Sequence, residues 1–165
     1  MIRTCSGDGL EHQHASDAAL VASPAMNHLL CAPDSFKGTI KASDAARAMV
    51  DGARAGNWNA RACPIADGGE GSLDLLLKAQ GGHRKRFRTL DAQGRDLEAE
   101  IGFLEDGLTA VIEMANVVGL PADVDVNPMN TTSFGVGQLM AIAARTHEDI
   151  IICMGGTSTI DGGTG

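Results

Sequence analysis

Apolar and polar positions alternate in blocks from residue 28 onward, and the blocks change period as they go. HLLCA (28–32) is a short apolar run of strand length. After the polar loop APDSFKG, the residues Ala42, Ala45, Ala46, Met49, Val50 and Ala53 recur at i, i+3, i+4, i+7, i+8 and i+11. That spacing lays them along one face of a helix. Thr39 is placed to cap its start and Gly56 lies just past its end. RACPI (61–65) predicts a second strand. A second helix follows, with Leu73, Leu76 and Leu77 on its inner face and Gly81-Gly82 as its stop. Between 83 and 115, apolar runs are broken by the short polar turns Gln93-Gly94 and Asp106-Gly107, which predicts antiparallel strands. The last of them, TAVIEMA (109–115), carries one carboxylate, Glu113. A third helix is expected to begin near Thr131-Thr132-Ser133, with Val136, Leu139, Met140, Ala143 and Ala144 as its apolar face. DIIICM (149–154) is a final buried strand, followed by the loop GGTSTIDGGTG. The order β-α-β-α, then a strand group, then β-α-β, predicts an α/β fold with a substantially parallel sheet.

Residues 1–27 stand apart. They mix Ser, His, Gly and Asp with neither period, and read as a disordered leader or as sequence upstream of a start at Met26. His12 and His14 form an H-x-H pair with no third ligand nearby in sequence. The basic cluster Arg84, Lys85, Arg86 and Arg88 offers an anion site or, in the reading favoured here, a solvated edge strand, because charges blunt sheet edges.

Composition narrows the function classes. Hydrophobic residues make up 44% of the 165 positions, which fits a domain with a core rather than a disordered chain. Aromatics supply only 3%, so aliphatic residues, alanine and methionine must fill that core. The net charge of −8 disfavours nucleic acid, whose binders neutralise phosphates. No apolar run approaches the roughly 20 residues that cross a bilayer, so a membrane is not an expected partner. The four cysteines, Cys5, Cys31, Cys63 and Cys153, form no C-x-x-C pair and suit a reducing, cytoplasmic setting. The pattern carries no signal for an oligomeric state.

Glycine changes the picture most. There are 21 glycines, against a usual share of about 7%. They gather in loops that follow predicted strands, and the shape D-G-G-x-G occurs twice, at Asp67–Gly71 and Asp161–Gly165. In open α/β sheets ligands bind beyond the carboxyl ends of the strands. Glycines there let backbone N–H groups face an anion, and a helix starting just afterwards adds its positive end. A phosphate or carboxylate site is the reading these loops support. Asp67 and Glu70 fit such a site if Mg²⁺ or a sugar-like hydroxyl is bound as well. The phosphate loop G-x-x-x-x-G-K-[ST] is missing, G-x-G-x-x-G fails at Met140, and neither H-R-D nor D-F-G occurs.

In order along the chain, APDSFKG (32–38), ADGGEG (66–71), VIEMANVVGL (111–120), NPMNTTSFGVGQLM (127–140) and GGTSTIDGGTG (155–165) resemble the blocks of the type 1 bacterial glycerate kinases, over residues 28–165. The resemblance implies ATP-dependent phosphorylation of D-glycerate, usually to 2-phosphoglycerate. It also implies a Rossmann-like domain with a second α/β domain inserted into it and the active site in the cleft between them. On that pattern, 28–82 is Rossmann-like and 83–165 begins the inserted domain. Three departures stand out. Ile160 takes the place of a usual Asn beside Asp161, residues 1–27 have no counterpart, and family members continue well beyond the second D-G-G-x-G. The chain therefore reads as an N-terminal part of such an enzyme, expected to be inactive alone. The alternatives are a non-catalytic remnant or anion-binding module, and an unrelated α/β phosphate-binding domain.

Phosphoryl transfer needs held phosphates, a cation and a group that orients or deprotonates the attacking hydroxyl. Lys37 is the expected neutraliser of phosphate or of the glycerate carboxylate. Asp67 is expected as general base or Mg²⁺ ligand, supported by Glu70, and Asp161 is the second candidate for either role. Gly155, Gly156, Thr157, Gly162 and Gly163 are assigned to ATP. Asp34, Ser35, Gly68, Gly69, Glu70, Thr131 and Thr132 are assigned to the substrate, the two threonines doubling as helix caps. Glu113, buried within an apolar strand, must meet a cation, a metal, an arginine or loop N–H groups, because an unpaired buried carboxylate costs several kcal/mol.

Overall fold

A computed structural model describes residues 27–34, 36, 39–120 and 127–165. Ser35 and Lys37, with the H-x-H pair and Cys5, lie outside the described residues, as does nearly all of the expected leader. The described elements are β1 (His28–Cys31), α1 (Ala42–Ala55), β2 (Asn59–Ala62), α2 (Ser72–Gln80), β3 (Gly82–Leu90), β4 (Asp96–Leu104), β5 (Thr109–Glu113), α3 (Ala115–Val118), a 3-10 turn (Pro128–Asn130), α4 (Phe134–Ala143) and β6 (Asp149–Cys153). The fold is α/β, as expected.

The strands form two sheets. β1 and β2 pair in parallel, His28 opposite Asn59, with α1 packed on them through Cys31, Val50 and Ala60. The other sheet runs β3-β4-β5-β6; its first two pairs are antiparallel and β5-β6 is parallel. Its two faces are covered differently. On one, Ile101, Phe103, Ala110 and Ile112 meet Val136, Leu139 and Ala143 of α4 and Val117 and Val118 of α3. On the other, Val111, Leu104 and Cys153 meet Leu73 of α2. The period-2 alternation along β5 sends Ala110 and Ile112 one way and Val111 and Glu113 the other.

Several expected boundaries shift. β2 begins at Asn59 rather than Arg61, because pairing with β1 sets its register and Pro64 cannot donate to a ladder. The chain still runs alongside β1: Cys63 N–H donates to Cys31 O at 2.8 Å and Ile65 N–H to Pro33 O at 3.0 Å. Thr39 does not cap α1. Its hydroxyl donates to Phe36 O at 2.7 Å, and the helix starts two residues further on, after Lys41. Helix α4 begins at Phe134, behind Ser133. Thr132 Oγ1 accepts from Phe134 N–H at 3.1 Å, whereas Thr131 turns away and donates to the Pro128 and Ser158 carbonyls.

The basic cluster lies on β3, an edge of the larger sheet. Arg84 binds Asp74 of α2 and Glu100 of β4, and Arg86 also reaches Glu100. The neighbouring carboxylates raise the already high pKa of Arg84, its hydrogen bond to Asp74 foremost. These pairs are exposed, and pairs of this kind are worth at most about 1 kcal/mol each.

Candidate functional site

The parallel strands bring the glycine loops to one rim. β2 ends near residue 62, and β5 and β6 end side by side, with Met114 N–H donating to Cys153 O at 3.0 Å. Beyond those ends the first D-G-G-x-G loop touches the glycines after β6: Gly155 N–H donates to Gly68 O at 2.7 Å. The approach is backbone on backbone, since a Cβ placed on Gly155 would lie 2.6 Å from Gly69 N. Gly68, with φ +87, holds a left-handed conformation that glycine adopts without strain.

The same rim gathers the third loop. Leu120 N–H donates to Gly156 O at 3.3 Å, and Ser158 N–H and Oγ both donate to Val118 O. Gly119 bridges Thr157. Thr131 Oγ1 donates to Ser158 O at 2.9 Å, tying the approach to α4 into the cluster. Gly68, Gly69, Gly155, Gly156, Thr157 and Thr131 are thus brought into one contact network. Buried Ser158 joins its strands, and sequence reading gave it no role; its small polar side chain within a glycine run was the available signal.

Both copies of D-G-G-x-G use their aspartate alike. Asp67 Oδ1 accepts from Gly69 N–H at 2.7 Å, and Asp161 Oδ1 from Gly163 N–H at 3.3 Å. Each carboxylate closes a turn onto the backbone two residues on. Asp161 does more: its Oδ2 accepts from Ser133 N–H at 2.6 Å and from Ser133 Oγ at 3.0 Å. It thereby caps α4 from a loop 28 residues away. These donors, the Ser133 N–H foremost, hold the Asp161 carboxyl below its ordinary range. Ser133 was expected only as part of the helix start. Replacing Asp161 with alanine should cost about 1–2 kcal/mol, the range for a lost helix cap, read as a lower urea midpoint at unchanged m.

Glu113 plays the matching part for α2. Its Oε1 accepts from Gly71 N–H at 3.1 Å and its Oε2 from Leu73 N–H at 2.7 Å. Of the partners open to it from sequence, the structure selects the loop N–H groups. Burial pushes its pKa up; the bonds from Leu73 and Gly71 oppose that, and Asp74 and Glu70 add to it. Both oxygens turn into the helix start and each takes one donor there, and the metal-ligand role that the sequence suggested for Glu113 is a proposal. Asp67 is exposed, and among the described residues its Oδ2 takes no hydrogen bond, so it keeps an oxygen for a cation. Among the described residues no three His, Cys, Asp or Glu side chains form a group that could hold a metal ion.

Two hollows flank the rim. One, about 780 Å³, lies between the start of α1, α2 and the β3-β4 edge, and is lined by Glu70, Gly71, Glu113, Lys41, Arg84 and Asn116 among others. The other, about 610 Å³, is mostly apolar and is bounded by Asp161, Gly162, Gly163, Phe134, Met140 and Met154 among others. Glu70 and Asp161 therefore face different hollows, and Asp67 lines neither. Asp34 is exposed in the loop after β1.

Comparison with known proteins places the chain in a family. The model of the glycerate kinase family matches residues 29–165. The chain is 42% identical over 146 residues to a glycerate kinase of Halalkalibacterium halodurans, covering 85% of this chain and 38% of that one. It is 38% identical over 143 residues to glycerate 2-kinase of Escherichia coli, covering 83% and 37%. A solved structure described as a glycerate kinase 2 of Salmonella typhimurium LT2 superposes with a TM-score of 0.63 at 34% identity, over 85% of this chain and 39% of that one. The chain spans less than two fifths of the length of these relatives. Within that span the loops that meet at the rim, from ADGGEG to IDGGTG, fall inside the matched region, and the chain belongs to the glycerate kinase family.

Proposed function

We propose that these loops are the phosphate-handling part of a glycerate kinase that transfers the γ-phosphate of ATP to a hydroxyl of D-glycerate, giving 2-phosphoglycerate. The observation that carries this reading is the backbone contact of Gly155 with Gly68 and Gly69, beyond the ends of parallel strands. Two glycine turns that touch there can aim several N–H groups at one anion. In this reading Gly155, Gly156, Thr157, Gly162 and Gly163 serve ATP. Lys37 offsets charge on phosphate or on the glycerate carboxylate, and Asp67 orients or deprotonates the attacking hydroxyl. Asp34, Ser35, Gly68, Gly69, Glu70, Thr131 and Thr132 contact the substrate. Mg²⁺, when bound, would offset phosphate charge; Asp67, Glu113 and Asp161 are the carboxylates proposed to hold it.

The two sheets support two parts, proposed as a Rossmann-like portion over 28–82 and the start of an inserted domain over 83–165, although α2 packs on the larger sheet. Among the described residues no helix is long and apolar enough to cross a membrane, and Cys31, Cys63 and Cys153 are free thiols. A cytoplasmic setting is part of the same proposal.

A second reading, a non-catalytic anion-binding module, draws on the same touching glycine turns. A coupled assay with ATP, Mg²⁺ and D-glycerate separates the two. The 165-residue chain alone should show no turnover. Joined to the remaining portion of the Escherichia coli relative it should turn over glycerate, and Asp67→Asn and Lys37→Ala should each lower kcat by a factor of about 10²–10⁴. A folded chimera without glycerate-dependent ADP formation would sink the kinase reading, and near-normal rates in both variants would sink the residue roles.

A further inference from the structure

The sheet divides the basic cluster of β3 between its two faces. Alternation sends Arg84, Arg86 and Arg88 to the face that carries α2, and Lys85 and Phe87 to the other, where Phe87 packs against the core. Arg84 and Arg86 line the hollow of about 780 Å³ that Glu70 and Gly71 of the first D-G-G-x-G loop also line, and Arg88 does not. The two arginines differ in the donors they have left. Arg84 engages Nη1 with Glu100 and Nη2 with Asp74. Arg86 donates through Nε alone, to Glu100 Oε1 at 3.3 Å, and its side chain is 71% exposed. Among the described residues both Nη groups of Arg86 are without a partner. A guanidinium edge of coplanar N–H donors takes a carboxylate through two parallel bonds. An exposed ion pair of that length holds Arg86 weakly, so turning it toward a ligand costs little.

The other charges of the hollow fit a ligand that carries one carboxylate and hydroxyl groups. Several of its carboxylates are already engaged: Glu113 by the start of α2, Asp44 by Arg47, and Asp74 and Glu100 by Arg84. Glu70 and Glu98 take no hydrogen bond among the described residues, and a carboxylate in that state accepts from a hydroxyl. Lys41, 3.9 Å from Asp74, adds a second positive group to the lining. We infer, on the kinase reading above, that Arg86 receives the carboxylate of the substrate and so selects a hydroxy acid over a plain polyol. Lys37 is then left to the phosphates.

The test uses the chain joined to the remaining portion of the Escherichia coli relative. Arg86→Met should raise KM for D-glycerate about tenfold or more, with kcat within about threefold and KM for ATP unchanged, the pattern of binding lost equally from ground state and transition state. Arg86→Lys should recover part of the loss, because it restores the charge without the fork. Arg88→Met, on the same face but outside the hollow, and Lys85→Met, on the other face, should leave KM for glycerate unchanged. Binding is read apart from turnover by saturation-transfer NMR on the same joined chain. D-glycerate should show a signal that Arg86→Met abolishes, and glycerol, which lacks the carboxylate, should respond to the substitution not at all. If the joined chain turns over glycerate but KM is unmoved by Arg86→Met, or is moved as much by Arg88→Met, the role of Arg86 is overturned and the kinase reading stands. If the joined chain is folded and inactive, the kinase reading fails and the NMR decides: a glycerate signal lost in Arg86→Met sustains the carboxylate site, and a signal that survives the substitution, or no signal at all, overturns it.

Discussion

Glu113→Ala is expected to destabilise the chain by about 3 kcal/mol at pH 7, through two buried-end N–H groups left without an acceptor and the cavity left by the side chain. Glu113 is only 1% exposed, and it is the acceptor for the first turn of a helix whose N-cap is a glycine without a side chain. Glu113→Gln should cost less, since its amide oxygen can still accept from one N–H while its NH₂ faces the other. The effect has a definite pH dependence. The folded-state pKa of Glu113 is raised above its unfolded value, chiefly by burial. The folded chain therefore holds the proton more tightly, and this contribution is complete below the unfolded pKa and lost as pH rises through the folded one. The gap between wild type and Glu113→Ala should be wider at pH 4.5 than at pH 8. Asp91, Asp106 and Asp161 run the other way: their pKa values are lowered, so their contribution is present above the ordinary aspartate range and lost as pH falls through the folded values. Comparing wild type with the variant at each pH cancels those three. Urea titrations at the two pH values check the claim, and a loss under 1 kcal/mol or a gap that widens at pH 8 would contradict it.

The contrast between Glu113 and its partners shows what a sequence can carry. A carboxylate inside TAVIE announces that it is buried and in need of donors, because apolar neighbours on a strand leave it no route to water. It does not announce which donors: Leu73 is 40 positions away, and only the packing of α2 on β5 brings the two together. The cap supplied by Asp161 to α4 was hidden for the same reason; the local reading gave the role to Thr131 and Thr132, of which Thr132 does accept from Phe134 N–H and Thr131 does not serve the helix. Features set within one element were legible, such as the charges that mark β3 as an edge and most of the apolar face of α1, where Ala45, Ala46 and Val50 are buried but Met49 is 47% exposed. The start of β2 was not, since it is fixed by register against β1. The glycine loops were legible as loops and as an ordered family pattern. Their mutual contact is a tertiary fact, and so is the division of Glu70 and Asp161 between two hollows.

That contact makes the other large prediction. In Gly155→Ala the new Cβ would lie 2.6 Å from Gly69 N, 2.8 Å from Gly69 Cα and 3.0 Å from Gly68 C. Every one of these atoms is backbone, so no change of rotamer relieves the clash. The two loops must part, which removes the bond from Gly155 N–H to Gly68 O. A loss of about 2–4 kcal/mol is expected, in the range of overpacking with a broken, partly buried hydrogen bond. Gly163→Ala is the control. Gly163 sits at φ +82 with nothing within 4 Å of its missing Cβ, so alanine there meets strain alone, about 1 kcal/mol. In a chain completed to full family length, parting the loops should also lower kcat by about 100-fold or more if touching turns form the phosphate site, the scale of losing one positioned donor. Stability and rate then make separate demands on the same pair of variants. If Gly155→Ala is no more destabilising than Gly163→Ala, the backbone contact is not what joins the loops. If it is destabilising but the completed enzyme keeps its rate, the loops are joined for folding alone, and the phosphates are held elsewhere.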